Sequence, residues 1–147
     1  MTTAAFRGLP EDWARRPMTD PDLFEGVVDL AVFEAFRAIG GVVLLLCHAD
    51  GRLMQPVPVE SVNAASPPAE AEARLSAILA DIVERGVPAV VMVVARPGSA
   101  KAGDRDRDLR DAFVRASQAS GITLLGAALA VPGAVVDLTS TSTTEAA

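Results

Sequence analysis

The chain contains no tyrosine, one tryptophan, one histidine and one cysteine among its 147 residues. The lone Cys47 excludes an internal disulfide framework, and the lone His48 excludes any site built from several imidazoles. The shortage of aromatics removes the stacking platforms on which single-stranded nucleic acids bind. Basic residues are also outnumbered, 13 against 19 acidic ones, for a net charge of −6 and a pI near 4.7. That balance offers no counterion release to drive binding of nucleic acid or of an anionic membrane. No apolar run approaches the ~18 residues of a membrane span. Met1 to Pro10 lacks the basic-then-apolar layout of a secretory signal. The expectation is a soluble, cytoplasmic protein with no nucleic-acid and no membrane partner.

What is present is apolar. Half of the chain is hydrophobic and 22% is charged, which excludes disorder as a description of the whole. The length suits one domain with one core. Twelve of the basic residues are arginine and only Lys101 is lysine. With the abundant alanine, this reads as a coding bias rather than a functional trait.

Residues 1–20 have no clear period and read as an N-terminal arm, with Trp13 as its anchor. A single α/β domain is expected over 21–138, and a Ser/Thr-rich flexible tail over 139–147. Asp20-Pro21 forms a helix start, because Asp caps and Pro suits the first helical position. A helix then runs to Ala38, with Phe33 and Phe36 widening its apolar face so that more than one side is covered. Gly40-Gly41 ends it.

Val42 to Cys47 is a continuous apolar run, too short for a buried helix and suited to a strand. Asp50-Gly51 signals a hairpin. Leu53 to Val59 is the return strand, placed at an edge because Pro56 and Pro58 cannot donate to a ladder. A second helix follows Ser66-Pro67, with Leu75, Ile78, Leu79 and Ile82 at helical spacing, and closes at Arg85-Gly86. Ala89 to Val94 suits a strand covered on both faces. A polar loop over 96–103 leads into a third helix, Asp104 to Ser120, with Leu109, Ala112, Phe113 and Ala116 on one side. Strands at Ile122–Val131 and Ala134–Leu138, joined by Pro132-Gly133, complete the chain. The fold class is therefore α/β, a mixed β-sheet flanked by helices in the order α-β-β-α-β-α-β-β.

That order, with its local wording, resembles the RadC-type branch of the JAB/MPN (JAMM) metalloprotein superfamily over about two-thirds of the chain, Gly40 to Leu138. The segments that carry the likeness are Val42–Leu53 (VVLLLCHADGRL), Ala89–Val94 (AVVMVV), Asp106–Phe113 (DRDLRDAF) and Gly121–Leu125 (GITLL). The resemblance implies a cytidine-deaminase/JAB-like three-layer arrangement. It also implies where a metal site would stand. The family carries His-x-His-Pro, a loop, then Ser-x-x-Asp opening a helix, and a Glu before the first hairpin. Two His and the Asp hold zinc and leave one position open for a water of lowered pKa.

Laid on this chain, the motif's Pro matches Pro97 and its two His fall on Val94 and Arg96. The Ser falls on Gly103, the Asp on Asp106, and the Glu near Gly40, with Glu34 too far back. Valine has no donor atom, and a permanently protonated guanidinium repels a cation. The resemblance thus implies a degenerate member with no metal, no cofactor and no catalytic residue in the family's sense. Asp106 reads first as an ordinary acidic residue in a helix's first turn. Its other reading is an ion pair with Arg96, guanidinium charge replacing metal charge.

Other constellations give alternatives. Cys47 and His48 are strand neighbours whose side chains diverge, a buried thiol and an exposed imidazole rather than a catalytic pair. The 96–103 loop, with Arg96, Ser99 and Lys101 at a helix start, suits a small anion, although it lacks a P-loop ending and is otherwise a solvated, mobile loop. Asp104 and Asp106 beside Arg96 are acid/base candidates for a hydrolase with a non-standard site. Alternating Arg and Asp over 104–115 read as a salt-bridged solvent face. The leading expectation is a noncatalytic JAB/MPN-like module acting through a protein partner or self-association. Its contact surfaces would be the proline-bearing edge strand and the first helix.

Overall fold

Two apolar runs decide the architecture. A strand apolar at every position needs cover on both faces, and the computed structural model, which describes residues 9–63 and 65–139, provides it. Gly41–Cys47 (β1) and Ala89–Ala95 (β3) are buried along their whole length and pair antiparallel at the middle of a five-stranded sheet. Leu53–Val59 (β2) pairs antiparallel with β1 and forms one edge. Thr123–Val131 (β4) lies parallel to β3, and Ala134–Asp137 (β5) pairs antiparallel with β4 at the other edge. The order across the sheet is β2-β1-β3-β4-β5.

Alternation along the strands divides the core in two. Val42, Leu44, Val90, Met92 and Val94 face two long helices, Pro68–Glu84 (α3) and Asp104–Ser120 (α4). The intervening Val43, Leu45, Cys47, Val91 and Val93 face Phe24–Ala31 (α1), together with Met18. Phe36 of Glu34–Ile39 (α2) packs on the same side. The sheet is therefore a middle layer between two helical ones. α4 is the crossover between the parallel strands β3 and β4. It ends where Gly121 takes the left-handed conformation, at φ +80°.

The first helix differs from expectation. Residues 21–23 form a turn held by Leu23 and Phe24 N–H groups donating to the Asp20 carbonyl, and the helix begins at Phe24. It then breaks: Val32 and Phe33 are extended, at ψ 104° and 147°. The cause is Arg37, whose guanidinium donates to the Asp29 and Val32 carbonyls at 3.0 Å each. Carbonyls at the end of α1 are thus satisfied by a side chain rather than by another helical turn. The break also exposes Phe33 (75%) instead of covering it.

The hairpin tip forms at Asp50-Gly51, with Gly51 at φ +93°. Its carbonyl accepts from the Met18 N–H at 2.9 Å, and Leu9, Trp13 and buried Met18 pack on the α1 side of the core. At the other end, Thr139 Oγ1 bonds both the N–H (3.0 Å) and the carbonyl (3.2 Å) of Ala127. The rest of the expected tail, 140–147, lies outside the described residues, as does 1–8 of the expected arm.

Candidate functional site

β3 ends at Ala95, and the Arg96 N–H still bonds the Ala130 carbonyl of β4 at 3.1 Å. Arg96 is thus aimed by the sheet, two residues beyond Val94 and on the same face. Its guanidinium meets Asp106 in the first turn of α4 as a fork: Nε to Oδ1 and Nη2 to Oδ2, both 2.8 Å. Nη1 donates to the Pro97 and Ser99 carbonyls at 3.0 Å each, and Nη2 donates also to the Lys101 carbonyl at 3.1 Å. All five guanidinium N–H groups are thereby engaged.

The loop from Pro97 to Gly103 wraps around this cation, turning alternate carbonyls inward. Asp106 Oδ2 also accepts the Gly103 N–H at 2.9 Å, half of a capping box, since glycine offers no side chain in return. Burial pushes the Asp106 carboxyl upward, but the Arg96 and Gly103 hydrogen bonds and the Arg96 charge outweigh it and hold it below the usual value of 3.8.

Of the residues singled out in sequence, Arg96, Gly103 and Asp106 converge. Val94 lies fully buried in the core on the same strand face. Ser99 and Lys101 are exposed, and the Ser99 hydroxyl accepts the Lys101 N–H at 2.9 Å in a local turn. Asp104 points into solvent, its nearest cation Arg107 at 3.5 Å. The loop is solvent-facing as expected, yet its carbonyls are fastened to one side chain rather than left mobile. Gly40, at φ +99°, borders the same place: a Cβ there would lie 3.5 Å from the Ala95 carbonyl and 4.0 Å from Pro97 Cδ.

Among the described residues, no three of His, Cys, Asp and Glu come together as a metal-holding group. The donor set around Asp106 does not fit a divalent cation either. Val94 brings no lone pair, and Arg96 brings a fixed positive charge. Cys47 is buried, its thiol donating to the Leu45 carbonyl at 3.3 Å and pushed up to about 11 by burial. A thiol so raised is a poor nucleophile at neutral pH.

Sequence reasoning missed two arginines. Arg37, 1% exposed, donates to Val32, Asp29, Glu34 and Val131, again with all five N–H groups. Arg110, expected on the solvent face of α4, is 6% exposed. Its spacing with Phe113 and Ser117 (i, i+3, i+7) was the available sign, because those positions share a helix face. Arg115 likewise reaches across to Glu72 of α3, at 2.6 Å, rather than pairing along α4.

No protein-family model matches this chain, and no curated protein matches it significantly in sequence. No helix among the described residues is long and apolar enough to cross a membrane.

Proposed function

We propose that the chain is a noncatalytic JAB/MPN-like domain that acts through protein contacts, including contacts with its own copies. In this reading the Arg96–Asp106 pair stands in the place of the family's metal. The observation that carries it is the guanidinium with every N–H engaged at the motif position. The position of Gly40 against Ala95 and Pro97, where the family's Glu would fall, supports the same overlay. A cytoplasmic protein without a nucleic-acid partner belongs to this reading.

The alternatives find less support. A hydrolase needs an acid or base free to exchange a proton. Asp106 is fixed as a carboxylate by Arg96, and the Asp104 side chain is fully exposed. An anion in the 96–103 loop would have to displace Asp106 from Arg96.

The contact surface is on the α2 side. Phe33 and Ile39 are 75% and 79% exposed, and Phe33 lines an apolar cleft of about 190 Å³ together with Phe36, Pro56 and Pro58. Two measurements test the reading on purified protein. Elemental analysis is expected to find no stoichiometric zinc, and tightly held zinc that disappears in Asp106→Asn overturns it. Sedimentation is expected to show association weakened by Phe33→Ser/Ile39→Ser. Association that this pair of changes leaves untouched removes the surface.

A further inference from the structure

Buried Arg37 and Arg110 and half-buried Arg96 are not treated alike. Arg37 and Arg96 have all five N–H groups engaged by protein oxygens. Arg110 uses three: Nε and Nη2 on Asp111 Oδ1 at 3.1 and 3.0 Å, and Nη1 on the Leu138 carbonyl at 3.4 Å. One N–H on each terminal nitrogen remains. A buried guanidinium with donors to spare is costly unless a partner completes it.

Arg110 lines a cleft of about 360 Å³ between α4 and β4. Val114, Ile122 and Leu124 form apolar wall, and Gly126 and Ala127 form part of its floor. Ser117 lines it too, two turns along the helix from Arg110. The Ser117 side chain is 98% buried by the residue's 2% exposure, and its hydroxyl has no hydrogen-bond partner. A serine in a helix ordinarily bonds a carbonyl of the preceding turn, as Ser120 does to Ala116 at 2.9 Å. Two independent polar groups are therefore incomplete, and both belong to one apolar-walled cleft.

We propose that this cleft is a binding site for a small monocarboxylate with an apolar body. The carboxylate would take the two open Arg110 N–H groups, and the body would lie against Val114, Ile122 and Leu124. A polar atom at its far end would complete the Ser117 hydroxyl. The helix rise of ~1.5 Å per residue sets the Arg110 and Ser117 backbone positions about 10 Å apart along this wall, so a body of aryl length suits the cleft better than acetate. Asp111 already offsets part of the guanidinium charge, which disfavours a dianion such as phosphate. The volume lies at the small end of ligand sites. This site is separate from Arg96–Asp106 and stands whether or not the proposed function does.

The test is two-dimensional amide NMR on the full chain, titrated with 4-hydroxyphenylacetate, the neutral alcohol 4-hydroxyphenethyl alcohol, and inorganic phosphate. The expected result is saturable shifts at Val114, Ser117, Leu124 and Gly126 with the acid alone. Arg110→Gln should weaken the acid by about tenfold or more, the scale for losing a charge-assisted bond. Val114→Trp, which fills the cleft from its partly exposed wall and keeps the Arg110 charge, should abolish binding while the amide pattern stays folded. No saturable shift with the acid overturns the proposal, as does equal binding of the alcohol or of the Val114→Trp variant. Nuclear Overhauser contacts from Val114 or Leu124 methyls to residues 140–147 would also overturn it, by showing the chain's own end in the cleft.

Discussion

Arg96 and Asp106, ten residues apart, are joined by two parallel 2.8 Å hydrogen bonds that tie the end of β3 to the start of α4. The geometry is the bidentate fork that makes arginine, and not lysine, the partner of a carboxylate. The carboxylate side chain is 3% exposed and the guanidinium 20%, so the pair sits at the rim of the core rather than in water.

The costs of removing the two partners should therefore not add. Asp106→Asn is expected to cost about 2 kcal/mol and Arg96→Met about 2–4 kcal/mol, below the range for fully buried pairs because Arg96 is partly solvated. Arg96→Met is the worse of the two, since it also releases the Pro97, Ser99 and Lys101 carbonyls. The double change Arg96→Met/Asp106→Leu should lose less than the sum of the singles. Urea denaturation of the four proteins checks this, and strict additivity would refute the coupling.

The same pair sets a pH dependence. Asp106 is held below its unfolded value of 3.8, so its contribution is fully present above that pH and is lost as pH falls through the lower folded-state value. Asp20, bonded by Arg16, and Asp50, bonded by the Arg52 N–H, are lowered in the same direction, but both lie at the surface, where solvent screens them. Stability should be flat near neutrality and fall below about pH 4. In Asp106→Asn the acid limb should be shallower, as read from urea midpoints at pH 7, 4 and 3.

Arg37 should matter more than any surface arginine. Its replacement by methionine would remove the guanidinium paired with Asp29 at 2.8 Å and the donors to the Val32 and Val131 carbonyls. The expected loss is about 3–5 kcal/mol, against less than about 1 kcal/mol for Arg52→Ala at the exposed hairpin tip. Thermal unfolding of the two variants separates them. Equal melting temperatures would show that Arg37 does not hold α1 to α2.

The edge strand offers a fourth test. Pro56 and Pro58 pair with Leu45 and Val43, two residues apart, so both missing donors fall on the same side of β2. With β1 on the other side, that is the open edge of the sheet. Replacing them by valine and threonine would restore two outward N–H groups and make the edge a template for strand pairing. Sedimentation velocity should show added self-association for Pro56→Val/Pro58→Thr. An unchanged mass distribution would mean the prolines do not protect this edge.

Much of the element plan was legible because its marks are local. The apolar runs of β1 and β3, the Asp50-Gly51 turn and the stripe of α4 each follow from neighbouring residues. The Arg96–Asp106 pair was readable only as one of two choices, because a side chain's partner ten residues away depends on where the intervening loop goes. The break after Ala31 was hidden for the same reason: its cause is Arg37 reaching back five and eight residues. Arg110 was misplaced because the alternation of charges over 104–115 suggested solvent, while its helical position faces the cleft against β4.

The 97–103 connection takes its shape from a single cation, with every second carbonyl turned toward it. Such a wrapping has a parity. One inserted residue would rotate each later carbonyl outward and leave the guanidinium facing N–H groups, so this connection is fixed in length. Surface loops commonly drift by insertion and deletion. Here the count of residues between strand and helix is as constrained as the spacing of a core stripe.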